Sequence, residues 1–192
     1  MQKHSLSQKI WKWHSIDSVH ASLFATQLKI PLPVAKVLIA RGITQFEMAK
    51  DFITPKLKDL LNPFLLKDIE KALQRISRAI ETKQKIFVYG DYDVDGVTSA
   101  SLLIRFFSAM QIPIEFYIPH RLKEGYGLGK EGIQNIANAG GNLIITVDCG
   151  VTNYKEVELA NSLGIDVIII DHHQIQVQLP NAVAILNPHQ KD

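Results

Sequence analysis

The sequence predicts an α/β fold: a doubly wound, mainly parallel five-stranded sheet preceded by an α-helical N-terminal region. Three observations carry this. The apolar runs in the second half are short and almost unbroken by polar residues, as in strands buried on both faces. The stretches between them are long enough for crossover helices. The first 82 residues instead repeat their apolar positions at helical spacing. Two domains are therefore expected, a helical region over 1–82 and an α/β domain over 83–192.

The elements follow in order. Asp17 and Ser18 are N-cap residue types and open a helix through Leu28. Pro31 and Pro33 punctuate the next connection, and a helix from Val34 to Arg41 stops at Gly42. Thr44 followed by Glu47 forms a capping box for a short helix to Phe52. Pro55 and Leu61-Asn62-Pro63-Phe64 make a turn-rich link. From Asp68, the residues Ile69, Leu73, Ile76 and Ile80 form one apolar stripe. Strands are expected at Ile86–Tyr89, Ile114–Ile118, Leu143–Val147 and Val167–Ile170, with a last short one at Ala182–Leu186. Helices fill 97–110, 129–139 and 153–163. Right-handed crossovers and the common order 2-1-3-4-5 bring the ends of strands one, three and four to a single edge.

Length and composition bound the function. A chain of 192 residues with 46% apolar residues can bury a core. A net charge of +2 neither demands nor excludes nucleic acid. The single cysteine, Cys149, excludes an internal disulfide framework and suits a reducing cytosol. No apolar run nears the ~20 residues of a membrane span. Met1 to Trp13 carries Lys3, Lys9 and Lys12 and lacks the apolar core of a signal peptide. The expectation is a soluble cytoplasmic protein.

The candidate site lies where strands end. Asp91, Asp93 and Asp95 follow strand one, Asp148 closes strand three, and Asp171-His172-His173 closes strand four. Carboxylate oxygens mixed with imidazole suit divalent Mn, Zn, Fe or Mg, and such a cluster open to water is apparatus for hydrolysing phosphate esters. Asp91-x-Asp93-x-Asp95-Gly96 is not an EF-hand: position twelve is Leu102, not Glu, and a strand rather than a helix precedes it. Asp95 is also placed to cap the following helix. Of the adjacent histidines, one can bind metal while the other meets a phosphate, with Asp171 accepting an imidazole N–H. Cys149 reads as a small buried residue, and His4, His14, His20 and His189 as incidental. Between strand two and the next helix, His120, Arg121, Lys123 and Tyr126, with Gly125, Gly127 and Gly129, form either a solvated loop or a phosphate-contacting lip.

These residues resemble the DHH phosphoesterase superfamily, whose name matches Asp171-His172-His173. Within it, the motifs Gly90 to Thr98, Pro119-His120-Arg121, Glu124 to Leu128, Val147 to Asn153 and Leu186-Asn187-Pro188 are similar to those of the RecJ single-strand-specific exonucleases. Asn62 to Asp68 is also similar. The resemblance spans about residues 31 to 190.

It implies a Mn²⁺- or Mg²⁺-dependent 5′-to-3′ exonuclease of single-stranded DNA in repair and recombination. A single-strand-binding protein or a helicase would be its protein partner. By motif match Asp93, Asp95, Asp148 and His172 hold a two-metal centre, with Asp148 bridging and Asp91 joining or supporting it. His173, oriented by Asp171, meets the scissile phosphate. Some relatives carry a histidine ligand where this chain has Tyr89. Family members continue with a further metal-binding aspartate, a second α/β domain and an OB-fold region, so this chain is expected to be the N-terminal portion of the family's core. Two alternatives stay open: a phosphoesterase of oligonucleotides or cyclic dinucleotides, and a non-catalytic nucleic-acid-binding relative.

Overall fold

The computed structural model describes residues 15–190. The lysine-bearing N-terminus, His4 and His14 lie outside the described residues. By internal contacts the chain parts into two compact units, Met1–Leu61 and Asn62–Asp192.

Among its described residues the first unit holds three α-helices. Helix α1, Ser18–Leu28, is capped by Asp17, whose carboxylate accepts the Val19 N–H at 2.8 Å, and it ends at Lys29 in the left-handed region. Helix α2, Leu32–Ala40, starts two residues before the expected Val34, because Pro33 is tolerated in a first turn whose N–H groups need no intrahelical partner. Helix α3, Phe46–Ile53, corrects the expected capping box. Gln45 occupies the cap position, no side chain caps it, and Thr44 lies one residue outside. Phe24, Ala35, Leu38, Ile43 and Ala49 form this unit's own core. No single helix among the described residues is long and apolar enough to cross a membrane.

The second unit opens with a 3₁₀ turn at Pro63–Leu65, capped by the Asn62 side chain, and helix α4, Ile69–Glu81. Asp68 precedes α4 with φ 63° and does not cap it. Its carboxylate instead meets Lys71 at 2.6 Å and accepts the Ile185 N–H at 3.4 Å. Arg75 pairs with Asp166 at 2.5 Å. The contacts to Ile185 and Asp166 tie α4 to the sheet, so this helix lies with the α/β unit.

The sheet strands are β1 Ile86–Gly90, β2 Glu115–Tyr117, β3 Leu143–Val147, β4 Asp166–Ile170 and β5 Ala184–Leu186. All pair in parallel, in the order β2-β1-β3-β4-β5, as the sequence predicts. Helices α5 Val94–Ala109, α6 Lys130–Asn138 and α7 Tyr154–Ser162 cross between them. Phe87, Tyr89, Ile144, Val167 and Ile169 face one core with residues of α6 and α7. Ile86, Leu143, Ile145 and Ile168 face the opposite core with Ala72 and Ala79 of α4 and Phe107 of α5. Strand β2 corrects the expectation of burial on both faces: it is the edge strand, and Glu115 and Phe116 are exposed. The other edge, β5, is fully buried.

Candidate metal centre

Strand β1 delivers Asp91 to the sheet's C-terminal edge, where the chain turns tightly into α5. That turn requires a glycine at 96: a Cβ there would lie 2.3 Å from the Asp91 carbonyl oxygen. The helix begins at Val94, so its cap is Asp93 and not Asp95. The Asp93 carboxylate accepts the N–H groups of Asp95 and Gly96, each at 3.0 Å. Asp95, which does not serve as the cap, is exposed and lines the cleft.

Strand β3 ends on Asp148, a non-glycine residue at φ 60°, held there by its N–H donating to the Ile170 carbonyl at 2.9 Å. Such a conformation costs free energy and persists where surrounding structure imposes it. Among the described residues, neither carboxylate oxygen of the buried Asp148 meets a hydrogen-bond donor. His172 Nδ1 lies 3.3 Å from Oδ1, an electrostatic contact. Burial first, and then the facing Asp93 carboxyl, push Asp148 up to about 6, while His172 and His173 oppose that rise. Asp93 goes the opposite way, held down chiefly by the Gly96 N–H. Two ionised carboxylates facing each other repel, so one gives up its charge unless a cation neutralises the pair.

Strand β4 ends on Asp171, which is buried and fully engaged. Its Oδ1 accepts the N–H groups of His172 at 2.7 Å and His173 at 3.0 Å and meets His173 Nδ1 at 2.7 Å. Oδ2 accepts the Val151 N–H at 3.0 Å. Burial alone would raise Asp171, but these donors hold it below the usual carboxylate value. The same carboxylate raises His173. Asp171 therefore orients the turn and has little capacity left for a metal.

One cleft of about 340 Å³ is lined by Asp95, Asp148, Asp171 and His172, with Leu66, Leu186 and Pro188 among its walls. Donor atoms of Asp148, Asp171, His172 and His173 lie within 4.8 Å of one another, a group that could hold a metal ion. The fit to a divalent cation rests on the orphaned oxygens of Asp148, which a desolvated carboxylate does not tolerate without a positive neighbour. Their oxygen-plus-imidazole chemistry agrees.

The remaining predicted residues divide. Asp91 is fully buried behind the turn: Oδ1 is 3.5 Å from the Gly127 N–H, and Oδ2 has no partner among the described residues. Tyr126 reaches the cluster, its hydroxyl 3.1 Å from His173 Nε2. Arg121 stacks its guanidinium over Tyr92 at 5.3 Å, and Tyr92 meets Tyr126 edge to face. The His120 N–H donates to Glu124 and its ring nitrogen accepts from the Leu122 N–H, so the imidazole shapes the turn. Lys123 is exposed on the same turn. Tyr89 points into the core, where it stacks on Tyr117 and its hydroxyl bonds the Gly127 carbonyl and Gly129 N–H. Cys149 is buried, as expected. Sequence reasoning missed a role for Asn187, whose buried amide donates to the His173 carbonyl at 2.9 Å and accepts from the His189 N–H at 2.8 Å. The signal was there in the Leu186-Asn187-Pro188 motif, to which no role was assigned.

A sequence profile for the DHH family, N-terminal domain, matches residues 85–192. The single-stranded-DNA-specific exonuclease RecJ of Bacillus subtilis (strain 168) is 40% identical over 184 residues, covering 96% of this chain and 23% of that protein. Its Escherichia coli (strain K12) counterpart is 33% identical over 165 residues, covering 85% and 28%. Among solved structures, exonuclease RecJ bound to manganese superposes with a TM-score of 0.62 at 34% identity, over 67% of this chain and 33% of that one. RecJ in complex with Mn²⁺ from Thermus thermophilus gives 0.60 at 26% identity, over 88% and 23%. The chain thus spans about a quarter of the length of the curated relatives it matches.

Proposed function

The chain belongs to the DHH family, and from that premise we propose that it serves a metal-dependent exonuclease of the RecJ type, hydrolysing phosphodiesters of single-stranded DNA from the 5′ end. The observation that carries this reading is the convergence of Asp95, Asp148, Asp171 and His172, from three separate segments, on one cleft beside two orphaned Asp148 oxygens. Asp93, Asp95, Asp148 and His172 would hold Mn²⁺ or Mg²⁺, with Asp91 behind them as a support. Divalent ions bound there supply charge stabilisation of phosphoryl oxygens and a water made acidic enough to attack.

The chain's own groups do the rest. A carboxylate only accepts, so the Asp171 contact fixes one His173 proton on Nδ1, and the same carboxylate favours the imidazolium, whose Nε2–H would donate to an incoming phosphate oxygen. Arg121 and Lys123 offer cations, and Tyr92 and Tyr126 offer faces on which unpaired bases can stack. DNA repair and recombination in the cytoplasm is the setting this substrate implies, with a single-strand-binding protein or helicase as the partner that would present the strand.

The test is hydrolysis of 5′-labelled single-stranded DNA with Mn²⁺, beside Asp93→Ala and His172→Ala, with a dinucleotide as competitor. Loss of turnover in both variants is expected. Turnover retained in both overturns the metal assignment, and preference for the dinucleotide overturns the substrate.

A further inference from the structure

We infer that the Tyr126 hydroxyl is a positioning group for His173, closing an Asp171–His173–Tyr126 chain that pins both ring nitrogens. The inference rests on the proposed hydrolysis only for the use to which the oriented imidazole is put. The geometry stands by itself.

His173 is half exposed, and an imidazole attached at one nitrogen alone still rotates about its side-chain bonds. Asp171 Oδ1 takes Nδ1 at 2.7 Å, and Tyr126 takes Nε2 at 3.1 Å, from opposite sides of the ring. With the proton on Nδ1, Nε2 is an acceptor, so the Tyr126 O–H donates to it. The Tyr126 ring then meets the His173 ring edge to face at 6.0 Å, and the His172 ring stacks on His173 at 4.7 Å. The same hydroxyl lies 3.5 Å from the Asp148 carbonyl oxygen, a second acceptor for its proton when the ring is protonated and Nε2–H donates to the hydroxyl instead. Tyr126 sits between Gly125 and Gly127, both at positive φ (83° and 79°), a backbone path open to glycine. Asp91 holds the far end of the lip through the Gly127 N–H.

The test reads the imidazole directly, in the 192-residue chain labelled with ¹⁵N at both histidine ring nitrogens. Because Asp171 raises His173, spectra follow a pH series upward from about 7 until its ring shifts no longer change, so that the neutral ring is read. The expected result is His173 as the Nδ1–H tautomer, with its Nε2 resonance displaced by an accepted hydrogen bond. Tyr126→Phe keeps the tautomer, which Asp171 sets, but moves Nε2 towards the free-nitrogen position and broadens the ring signals. Tyr92→Phe, which leaves the Tyr126 hydroxyl in place, moves neither. An Nε2 resonance unmoved by Tyr126→Phe, in a chain whose amide spectrum is otherwise preserved, overturns the inference. Calorimetry with Mn²⁺ on the same samples keeps the two readings apart. Absence of Mn²⁺ binding counts against the proposed function alone, because the His173 shift is measured without metal.

Discussion

Asp148 carries the largest electrostatic burden of any single residue in the cleft. Its carboxyl is raised to about 6 by burial and by the facing Asp93, so in the metal-free protein it binds a proton more tightly than an unfolded aspartate would. The sign follows: that proton's contribution to stability is present at low pH and is lost as pH rises through about 6. A cation competes with the same proton. Mn²⁺ affinity, followed by calorimetry, is therefore expected to fall as pH drops below about 6. Asp148→Asn is expected to weaken binding at least about tenfold at neutral pH. Asp171 answers differently, because its oxygens already hold four N–H groups. Asp171→Ala strands those donors in a buried turn and is expected to cost about 3 kcal/mol in urea denaturation. Both aspartates were legible in the sequence as strand-end carboxylates. Their division of labour was not, since hydrogen-bond saturation depends on which backbone N–H groups the fold brings within reach.

The turn from β1 into α5 is the element on which capping and metal binding overlap. Asp93 closes the helix N-terminus and faces Asp148, so one side chain serves two purposes. The two separate by substitution. Asp93→Asn still accepts the Asp95 and Gly96 N–H groups and is expected to melt close to the wild type while losing most Mn²⁺ affinity. Asp93→Ala loses both and is expected to melt a few degrees lower as well, the usual consequence of removing a helix cap. Gly96→Ala drives a methyl into the Asp91 backbone and is expected to destabilise by about 3 kcal/mol or more, read by thermal melting. The sequence placed this turn but started the helix at 97, and so assigned the cap to Asp95. An N-cap is decided by where the first helical N–H groups point, and composition does not resolve it. Strand β2 is a similar case. Its apolar letters match a buried strand, and its position at the sheet edge is a consequence of strand order.

Across the whole molecule, each unit has its own apolar core, around Phe24 and Leu38 in one and around both faces of the sheet in the other. All the cleft residues belong to the second. Residues 62–192 alone are therefore expected to unfold cooperatively by circular dichroism and to bind Mn²⁺ with the affinity of the full chain; a markedly weaker affinity would show that the first unit contributes to the site. Periodicity was sufficient to predict the parallel sheet, and with right-handed crossovers and the common order 2-1-3-4-5 it placed Asp95, Asp148 and His172 at the C-terminal edge, because burial on both faces leaves few other ways to wind such a chain. Only the tertiary structure decided which carboxylate is orphaned, which is saturated, and that Tyr126 and Asn187 brace His173. Those outcomes rest on angles and separations of a few ångströms between residues far apart in the chain, and a linear pattern of letters does not encode them.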